Sequence, residues 1–471
     1  MKTITMKFGG TSVGGPDAIT NVIQIIKQEL ANGNRVVVVV SAMSGITDML
    51  LRSVKAAANN DRWEFTSLSQ KMRDKHEEAI NLLMRPGAKR DAVLLEINKL
   101  LDAQFELCSA IQVLGELTPR VLDAAVSFGE RMSSRLVAAA LVEHDINAQA
   151  FEATKLIVTD ETFQAAQPLW EETTERVEAR LIPAMDVGVT PIITGFIGAT
   201  QTGVTTTLGR GGSDYSAAIF AALVDSDEFV VWTDVDGVMT TDPRVDKRAR
   251  VLPYISYQEV GELAFYGAKV LHPKTVQPIL DKEIPIYVRN TFNPTFEGTL
   301  IHKEARASKT VIKAVTSVRD VSMLTVSGRG MLGVRGIAGR TFLATARANA
   351  NILMISQSSS EQSFCFVVKD DNDDEARAAI EDELATEIAR KNVDGVDITR
   401  DIVIVTVIGA GMRGTPGVSG RVFTALGEDR INVLSIAQGS SECSISFIIA
   451  EDDLEHAVKI LHNLALEAVP S

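Results

Sequence analysis

The stretch ITMKFGGTSVGGPDAITNVIQIIKQELANGNRVVVVV, residues 4–40, contains in succession the patterns of a β-strand, a glycine turn, an α-helix and a second β-strand. Residues 36–40 form an aliphatic run typical of a parallel strand that is buried on both faces. Within residues 16–31 the apolar side chains recur at helical spacing, which predicts a helix against that sheet. They are Ile19, Val22, Ile23, Ile26 and Leu30. This order of elements predicts an α/β fold.

The same alternation of elements continues through the first 300 residues. Residues 191–195 and 229–232 are two further apolar runs that predict buried strands. Residues 62–145 are mostly helical in pattern, and their charged part at 71–100 predicts a solvated helical cap. With 471 residues, of which 45% are hydrophobic and 23% are charged, the chain can form two or three globular domains.

Charge, hydropathy and cysteine usage limit the classes of protein to which the chain can belong. Its net charge of −14 argues against nucleic acid as the main partner, because phosphate backbones require basic patches. No apolar run approaches the roughly 20 residues of a membrane-spanning helix, and the N-terminal MKTITMKFGG lacks the apolar core of a signal peptide. Cys108, Cys365 and Cys443 form no C-x-x-C pair. These features predict a cytoplasmic protein with free thiols.

The part of the chain after residue 300 contains an internal repeat with a period of 81 residues. The shift aligns residues 325–371, the first copy, with residues 406–452, the second copy, without a gap, and 21 of the 47 positions are identical. Each copy predicts strand, glycine loop, helix, strand, turn, strand and helix, which is most of a βαββαβ unit. The second copy is one strand short, and the strand-like residues 311–315 are predicted to complete it. The two units are therefore expected to interleave.

Both copies contain a G-x-G-x-x-G segment, here called the first glycine loop (residues 328–333) and the second glycine loop (residues 409–414). Three interpretations are open: a dinucleotide fingerprint, a loop whose free amides bind a small carboxylate, or a purely structural turn. The period of 81 residues weighs against the first interpretation, because a dinucleotide-binding domain needs two βαβαβ halves and the repeat holds about half of that.

A stronger candidate for a phosphate site lies at the start of the chain, in KFGGTS (residues 7–12). The two glycines allow backbone amides to approach an anion, and the following helix start adds positive potential. Lys7 supplies a full positive charge. By itself the motif is weak, since a lysine–glycine turn is often only structural.

Two more polar clusters follow predicted strands, where α/β sheets place their ligands. The first, TTTLGRGGSDYS (residues 205–216), leads into a helix predicted at 217–223. Arg210 offers a planar fork suited to a carboxylate or phosphate. Ser213 and Asp214 are expected at the cap of that helix, and simple N-capping is the alternative to a functional role for them. The second cluster is WTDVDGVMTTDPR, residues 232–244.

In this order the clusters resemble those of the aspartate kinases, members of the amino acid kinase family. The matching segments are KFGGTS (7–12), VVVVVSAMSGITDML (36–50), SFGERMSS (127–134), TGFIG (194–198), TTTLGRGGSDYSAA (205–218), WTDVDGVMTTDPR (232–244) and FYGAKVLHP (265–273). The repeats resemble the paired ACT regulatory domains of the same enzymes. The resemblance covers essentially the whole chain.

The resemblance implies a three-layer α/β/α kinase domain at residues 1–300 with a largely parallel eight-stranded sheet. Residues 301–471 would then form two interleaved βαββαβ ACT domains, the first at about 318–400 and the second at about 401–471, completed by residues 311–315. Edge strands of such units usually pair between chains, so a homodimer or a dimer of dimers is expected. Some relatives carry a fused homoserine dehydrogenase, but this chain ends at Ser471 and none is expected.

The implied activity is transfer of the γ-phosphoryl group of ATP to the side-chain carboxylate of L-aspartate, with Mg²⁺ on the phosphates and with no metal ligand named in the protein. The resemblance also implies a set of roles for residues of this chain. The residues implied to contact the ATP phosphates are Lys7, Gly9, Gly10 and Ser12. Those implied to line the aspartate pocket are Thr47, Glu130, Phe196, Arg210, Ser213 and Asp214. Those implied to contact the rest of the nucleotide are Thr233, Asp234, Arg244, Lys269 and Val270, and those implied to act in catalysis are Lys7, Arg210 and Asp214.

One departure from the family pattern is Met239, where many relatives have a tyrosine, and it puts a nucleotide contact at that position in doubt. The first glycine loop and the Q-S-S-S-E and Q-G-S-S-E motifs resemble those of the threonine-sensitive aspartate kinases more than those of the lysine-sensitive ones, so the resemblance favours threonine over lysine as the effector. Gln357 and Gln438, together with Gly330 and Gly411, are the predicted allosteric residues. Buried structural amides are the alternative for the two glutamines.

The chemistry is consistent with these roles. Aspartate's side chain is already ionised at neutral pH, so the reaction requires charge neutralisation and alignment rather than a general base. Arg210 would bind the substrate's α-carboxylate and Glu130 its α-ammonium group. Two rival hypotheses are a non-catalytic sensor of aspartate or threonine and an NAD-dependent dehydrogenase that uses the glycine loops.

Overall fold

The structure, a computed structural model, describes residues 1–267, 271, 273–304, 310–358, 362–439 and 441–466, with only the backbone of residues 273–276. The chain divides into two compact units. The first unit comprises Met1–Val238, Pro253–Tyr257 and Val270–Glu304, and the second comprises Met239–Leu252, Gln258–Lys269 and Ala305–Ser471, in each case as far as the residues are described. The predicted domain bounds stay predictions.

The first unit contains an eight-stranded sheet and a small three-stranded sheet. Its strands are β1 (Thr3–Phe8), β2 (Arg35–Val40), β3 (Ala148–Phe151), β4 (Val158–Thr159), β5 (Thr190–Thr194), β6 (Ile197–Thr200), β7 (Thr205–Thr207), β8 (Glu228–Thr233), β9 (Tyr254–Ser256), β10 (Ile286–Asn290) and β11 (Thr299–His302). The order in the large sheet is β3-β5-β2-β1-β8-β10-β11-β9. All its neighbours are parallel except β10 and β11, which are antiparallel.

Nine helices accompany these strands in the described part of residues 1–304. They are α1 (Pro16–Ala31), α2 (Ile46–Ala58), α3 (Arg62–Leu83), α4 (Ala88–Leu114), α5 (Pro119–Glu143), α6 (Trp170–Asp186), α7 (Gly212–Leu223), α8 (Tyr257–Phe265) and α9 (Pro273–Leu280). Helix α1 covers the predicted residues and begins with a proline, whose missing N–H costs nothing in the first turn. Among the described residues, no helix is both long and apolar enough to cross a membrane.

Both faces of the central strands are buried. Met6 and Val38 face a core formed with α1, α3, α4 and α5. Val37 and Val39, which alternate with them, are also fully buried, and α7 contacts β1 and β2. Each large aliphatic side chain buried in this way stabilises the fold by about 1.5–3 kcal/mol. The helices thus cover a largely parallel sheet on both sides, and the predicted α/β fold class is confirmed.

The second unit contains a six-stranded, fully antiparallel sheet. Its strands are β12 (Ala314–Ser327), β13 (Met354–Gln357), β14 (Ser363–Lys369), β15 (Gly395–Ile408), β16 (Ser435–Gln438) and β17 (Ser444–Ala450). Its further helices are α10 (Ile337–Arg347), α11 (Asp373–Glu383), α12 (Ala385–Ala389), α13 (Val418–Glu428) and α14 (Leu454–Leu466). The strand order is β13-β14-β12-β15-β17-β16. A dinucleotide-binding domain requires parallel strands, so the dehydrogenase interpretation of the glycine loops is wrong.

The two long strands β12 and β15 belong to both repeats. The first half of β12 pairs with the second half of β15, as Ala314 with Ile408, and the second half of β12 pairs with the first half of β15, as Thr325 with Asp397. Between the halves, Asp320 and Asp401 have left-handed backbone conformations with φ of 56° and 57°. Each copy therefore contains a strand segment from outside itself. The paired segment is 314–318, three residues beyond the predicted 311–315.

The first glycine of each glycine loop lies against a neighbouring backbone segment. A Cβ atom at Gly328 would lie 2.3 Å from the carbonyl oxygen of Asn392, and one at Gly409 would lie 2.2 Å from that of Val311. These two contacts are equivalent under the 81-residue repeat. The loops thus have a packing role at their first position.

We expect Gly409→Ala to lower the free energy of unfolding by about 1–3 kcal/mol, because the added methyl group forces two backbone segments apart. The matched control is Gly420→Ala within α13, where a Cβ would meet nothing within 4 Å. That change should raise the free energy of unfolding by about 0.4–1 kcal/mol, because alanine restricts the unfolded chain. Urea unfolding of the two variants measures both effects, and equal stability of the two would contradict the packing role.

Candidate active site

The predicted polar clusters of the first unit follow strands that end at one edge of the large sheet. Strands β1, β2, β5 and β8 are parallel neighbours, so the segments after Phe8, Val40, Thr194 and Thr233 emerge on the same side. Ligands of open α/β sheets bind at this carboxyl edge.

Lys7 and Asp214 form an ion pair at this edge, with 2.6 Å between Nζ and Oδ1. Their side chains are only 12% and 17% exposed. Asp214 Oδ1 accepts no well-aligned hydrogen bond from the described residues, so the contact is electrostatic rather than directional. The pair joins the end of β1 to the start of α7.

Helix α7 begins at Gly212, five residues before the predicted helix start. Ser213 and Asp214 therefore lie within its first turn, and the predicted cap position for them is wrong. The N-cap residue is Gly211, which has no side chain to cap with. Because capping does not employ Ser213 or Asp214, both side chains remain available for other contacts.

The turn after β1 is held close to the neighbouring strand ends. The Gly9 amide donates to the carbonyl oxygen of Trp232 at 3.2 Å. A Cβ at Gly10 would lie 3.1 Å from the carbonyl oxygen of Ala42, so a larger residue would push the two loops apart. Ser12 is fully buried: its hydroxyl donates to Trp232 O at 3.2 Å and accepts from Thr291 at 2.7 Å. The predicted contact of Ser12 with phosphate stays a prediction.

Glu130 on α5 is a buried carboxyl group with one unused oxygen. Its Oε1 accepts the Ala42 amide at 3.2 Å, and its Oε2 has no hydrogen-bond partner among the described residues. The side chain is 3% exposed, and burial raises its pKa from the ordinary 4.5 to about 8. Such a group favours an incoming cation, which would restore its charged form.

The turn Gly195–Phe196 is strained and tightly packed against α7. Phe196 has φ of +69°, a left-handed conformation that is costly for a bulky residue. Its amide donates to Ser216 Oγ at 2.8 Å, and its carbonyl accepts from the Leu208 amide at 2.9 Å. A Cβ at Gly195 would lie 2.9 Å from Ser213 Cβ. The structure thus brings Phe196 and Ser213 together, and strain of this kind is often found at functional sites.

Four other predicted residues of this unit have looser surroundings. Thr47 is half-buried in the first turn of α2, and Arg210 is exposed and forms no ion pair with a described residue. The Thr233 hydroxyl donates to the exposed Asp234 at 3.2 Å. Sequence reasoning missed Asp123, which is buried and accepts from the amide and the hydroxyl of Thr207 at 3.0 and 2.8 Å.

The remaining predicted residues lie elsewhere in the chain. Arg244 belongs to a segment of the second unit, is exposed, and contacts Asp242 Oδ2 at 2.6 Å. Met239 pairs with Val251 in the same unit. The predicted nucleotide residues Lys269 and Val270 lie outside the described residues.

The predicted allosteric residues lie in the two repeats. Gln357 and Gln438 end the edge strands β13 and β16 and are exposed in the single chain, so neither is a buried structural amide within it. Their predicted effector contacts stay predictions. A Cβ at Gly330 would lie 2.6 Å from Asn392 Cα, whereas the nearest atom to one at Gly411 is 3.5 Å away. The first loop is therefore the tighter of the two at this position.

Comparison with known protein families adds independent evidence. The sequence pattern of the amino acid kinase family matches residues 2–290. The pattern of the ACT domain matches twice, at residues 324–384 and 405–464.

Two curated relatives differ in length. The chain is 33% identical over 463 residues to bifunctional aspartokinase/homoserine dehydrogenase 1, chloroplastic, of Arabidopsis thaliana. This match covers 97% of this chain and 50% of that protein. It is 32% identical over 467 residues to lysine-sensitive aspartokinase 3 of Escherichia coli strain K12. This second match covers 98% of this chain and 99% of that protein. The chain spans about half the length of the bifunctional relatives it matches.

Two crystal structures resemble the whole chain. Escherichia coli aspartokinase III in complex with aspartate and ADP (R-state) has a TM-score of 0.84 and 31% identity, covering 99% of this chain and 100% of that one. The same enzyme in complex with lysine and aspartate (T-state) has a TM-score of 0.79 and 31% identity over the same shares.

We expect Glu130→Gln to stabilise the ligand-free protein at pH 8.5 and to change its stability little at pH 5. In the wild-type protein the pKa of Glu130 rises from 4.5 to about 8 on folding, so folding is penalised increasingly as the pH rises between these values. The neutral amide of the variant does not incur this penalty, which reaches on the order of a few kcal/mol at pH 8.5. Urea unfolding at several pH values measures the difference. Glu106→Gln, at an exposed position of α4, is the control, and an advantage of Glu130→Gln that does not grow with pH would contradict the account.

Proposed function

Because the chain belongs to the amino acid kinase family, and within it to the aspartokinases, we propose that it phosphorylates the side-chain carboxylate of L-aspartate with ATP to give 4-phospho-L-aspartate. The observation that carries the proposal is the Lys7–Asp214 ion pair, which lies at the sheet edge where the glycine turn of residues 9–10 also lies. In cells this would be the first step towards lysine, threonine and methionine, in the cytoplasm.

The reaction joins two anions, and the site supplies positive charge for that purpose. The side chain of aspartate is ionised at neutral pH, so it attacks the γ-phosphorus without a general base. The Lys7 ammonium and the backbone amide of Gly10 would bind the phosphate oxygens. The Gly9 amide donates to the Trp232 carbonyl oxygen, so Gly9 would serve by allowing the close approach of the phosphates. Asp214, 2.6 Å from Lys7 Nζ, would hold that ammonium in place. Asp214 is thus a positioning residue for Lys7.

A magnesium ion would accompany ATP and neutralise charge on its β- and γ-phosphates. Within the described ranges, no group of three or more His, Cys, Asp or Glu residues is arranged to hold a metal ion. At nucleotides, Mg²⁺ is usually held mainly by phosphate oxygens and water.

The aspartate substrate would be oriented by groups of opposite charge at its two ends. Arg210 is exposed and free of ion pairs with described residues, so its fork can bind the α-carboxylate bidentately. Glu130 has an unused buried oxygen for the α-ammonium group. Thr47, Phe196 and Ser213 would line the pocket between them. A substrate that lacks either charged group would leave a buried or charged partner unmatched, which provides specificity.

The nucleotide would be held at the end of β8 and beyond. Thr233 and Asp234 follow that strand directly. Arg244, Lys269 and Val270 complete the proposed set, with Ser12 as a further phosphate contact. Met239, in place of the usual tyrosine, would change packing around the nucleotide rather than the chemistry.

Regulation by an amino acid effector is proposed for the repeats. The two ACT matches and the similarity to a lysine-bound aspartokinase structure support feedback control. We assign the effector as threonine rather than lysine from the loop and Q-x-S-S-E sequences. Gln357 and Gln438, exposed at equivalent strand ends, would bind its polar groups, beside Gly330 and Gly411.

A homodimer or a dimer of dimers is proposed through the sheet edges of the second unit. The edge strands β13 and β16 expose Ile355 and Ile436, which are 48% and 45% accessible and equivalent in the repeat. Exposed apolar edge strands are templates for pairing with another chain. Light scattering on the purified protein measures the resulting mass.

The activity is tested by a hydroxamate assay with ATP, Mg²⁺ and L-aspartate, because hydroxylamine traps acyl phosphates. We expect aspartate-dependent hydroxamate, and its loss on addition of threonine but not of lysine. Loss with lysine alone would assign lysine as the effector. The absence of hydroxamate under all conditions, with aspartate binding retained, would favour the non-catalytic sensor.

The role of Asp214 is tested by a double-mutant cycle with Lys7. We expect Lys7→Met and Asp214→Asn each to lower kcat by about 10²–10³-fold, as for loss of a group that stabilises the transition state. The double variant should be little worse than Lys7→Met alone, because Asp214 acts through Lys7. Near wild-type turnover of Asp214→Asn, or fully additive losses, would contradict this role.

A further inference from the structure

The two glycine loops of the repeat differ in what binds their backbone amides. In the second loop, the Ala410 amide donates to Glu259 Oε1 at 2.6 Å. Lys313 Nζ donates to Glu259 Oε2 at 2.9 Å. Glu259 is fully buried and Lys313 is 5% exposed. A backbone N–H and an ammonium group that share one carboxylate are the usual elements of a carboxylate-binding site.

The carboxylate in this site does not come from the repeat. Glu259 lies on α8, which precedes the repeats by more than one strand in the chain. A second carboxylate on the same helix, Glu262, accepts from Ser444 Oγ at 2.8 Å and from Ser441 Oγ at 3.4 Å. Helix α8 is therefore fixed to the second copy by two acidic side chains.

The first glycine loop has the opposite charge at the equivalent position. The 81-residue shift relates Lys313 to Asp394, and the two backbones are held alike: Lys313 N–H donates to Ile408 O at 2.8 Å, and Asp394 N–H donates to Ser327 O at 2.7 Å. Asp394 is exposed. Arg329 is the counterpart of Ala410. No side chain of the described residues accepts a hydrogen bond from its backbone amide.

We propose that Glu259 is a built-in ligand of the second glycine loop, which occupies the place that a free carboxylate would take and fixes α8 there. The second loop is then closed to a free amino acid. The first loop keeps its Arg329 amide for a carboxylate, and Asp394 offers a partner for an ammonium group. Each chain consequently binds one zwitterionic effector, at the first loop, a consequence that rests on the regulation proposed above.

The internal ligand lies on the helix that precedes the predicted nucleotide segment in the chain. Helix α8 runs directly into residues 265–273, which contain two of the predicted nucleotide contacts. In this account the second copy works as an anchor and the first as the sensor.

The occupancy of the loop is tested by chemical rescue. Glu259→Ala leaves a carboxylate-sized space beside Lys313 and the Ala410 amide. We expect its Tm to fall by about 5 °C or more, and acetate or formate to restore part of this loss in a saturable way, with chloride used to match the ionic strength. The control is Glu262→Ala, on the same helix, which loses only hydrogen bonds to serine hydroxyls and should show no saturable recovery.

Equal effects of acetate on Glu259→Ala and Glu262→Ala would overturn the proposal. If Glu259→Ala does not yield folded protein, Glu259→Gln replaces it: the amide can still accept from Ala410 but carries no charge for Lys313. That variant should have a lower Tm than Glu262→Gln, and a Tm within about 1 °C of wild type would overturn the proposal.

The rescue requires neither catalysis nor effector binding, so its outcome is independent of the proposed function. Calorimetric titration of the wild-type protein with threonine and with lysine supplies the stoichiometry. One molecule per chain supports the assignment of the sensor to the first loop, and two per chain would contradict it. Binding of neither amino acid would remove the regulatory consequence, while the acetate result still decides the role of Glu259.

Discussion

The contact on which the proposed chemistry depends is the 2.6 Å ion pair between Lys7 and Asp214. The protein carries a net charge of −14, yet its proposed reaction requires two anions to meet. Local positive charge must therefore be held in place against a negative surrounding. The end of β1 presents Lys7 and the first turn of α7 presents Asp214. The glycine turn follows β1 directly, and a Cβ at Gly9 would lie 3.4 Å from Lys7 Nζ. Parallel pairing of β1 with β2 and β8 makes this edge common to all three.

The second unit contains two copies of one architecture, and the two copies differ in the charge of the side chain beside their glycine loops. The interleaved strands β12 and β15 make the two copies inseparable, because each copy is completed by a segment from outside it. The equivalent positions Lys313 and Asp394 then distinguish them. A cation beside the second loop retains the carboxylate of Glu259, while an anion beside the first loop does not.

Local patterns in the sequence were sufficient to predict much of the fold. Helix α1 was predicted at its observed bounds because its apolar spacing and Pro16 are local signals. The start of α7 was not, because Gly212 and Ser213 are weak helix formers and tertiary packing against Phe196 outweighs their propensity. Likewise, the strand at 314–318 was placed three residues early, since its register is set by β15, more than 80 residues away.

In the candidate site, residue types in motifs were predictable, but long-range contacts were not. Lys7 was singled out by the glycine turn that follows it, whereas the role of Asp214 was implied by the family resemblance. The orphaned oxygen of Glu130 and the bonds from Thr207 to Asp123 depend on segments that meet only in three dimensions. The buried Ser12 hydroxyl shows the same limit, because no local signal indicates its bonds to Trp232 and Thr291.

The most direct test of the central claim is whether the side-chain carboxylate of aspartate becomes bonded to phosphorus. L-aspartate labelled with ¹⁸O in its side-chain carboxylate would be incubated with the protein, ATP and Mg²⁺, and the mixture followed by ³¹P NMR. The account predicts a new acyl phosphate signal that is shifted by the ¹⁸O in its bridging position. An acyl phosphate signal without the isotope shift, or no new phosphorus signal in the presence of bound aspartate, would contradict it.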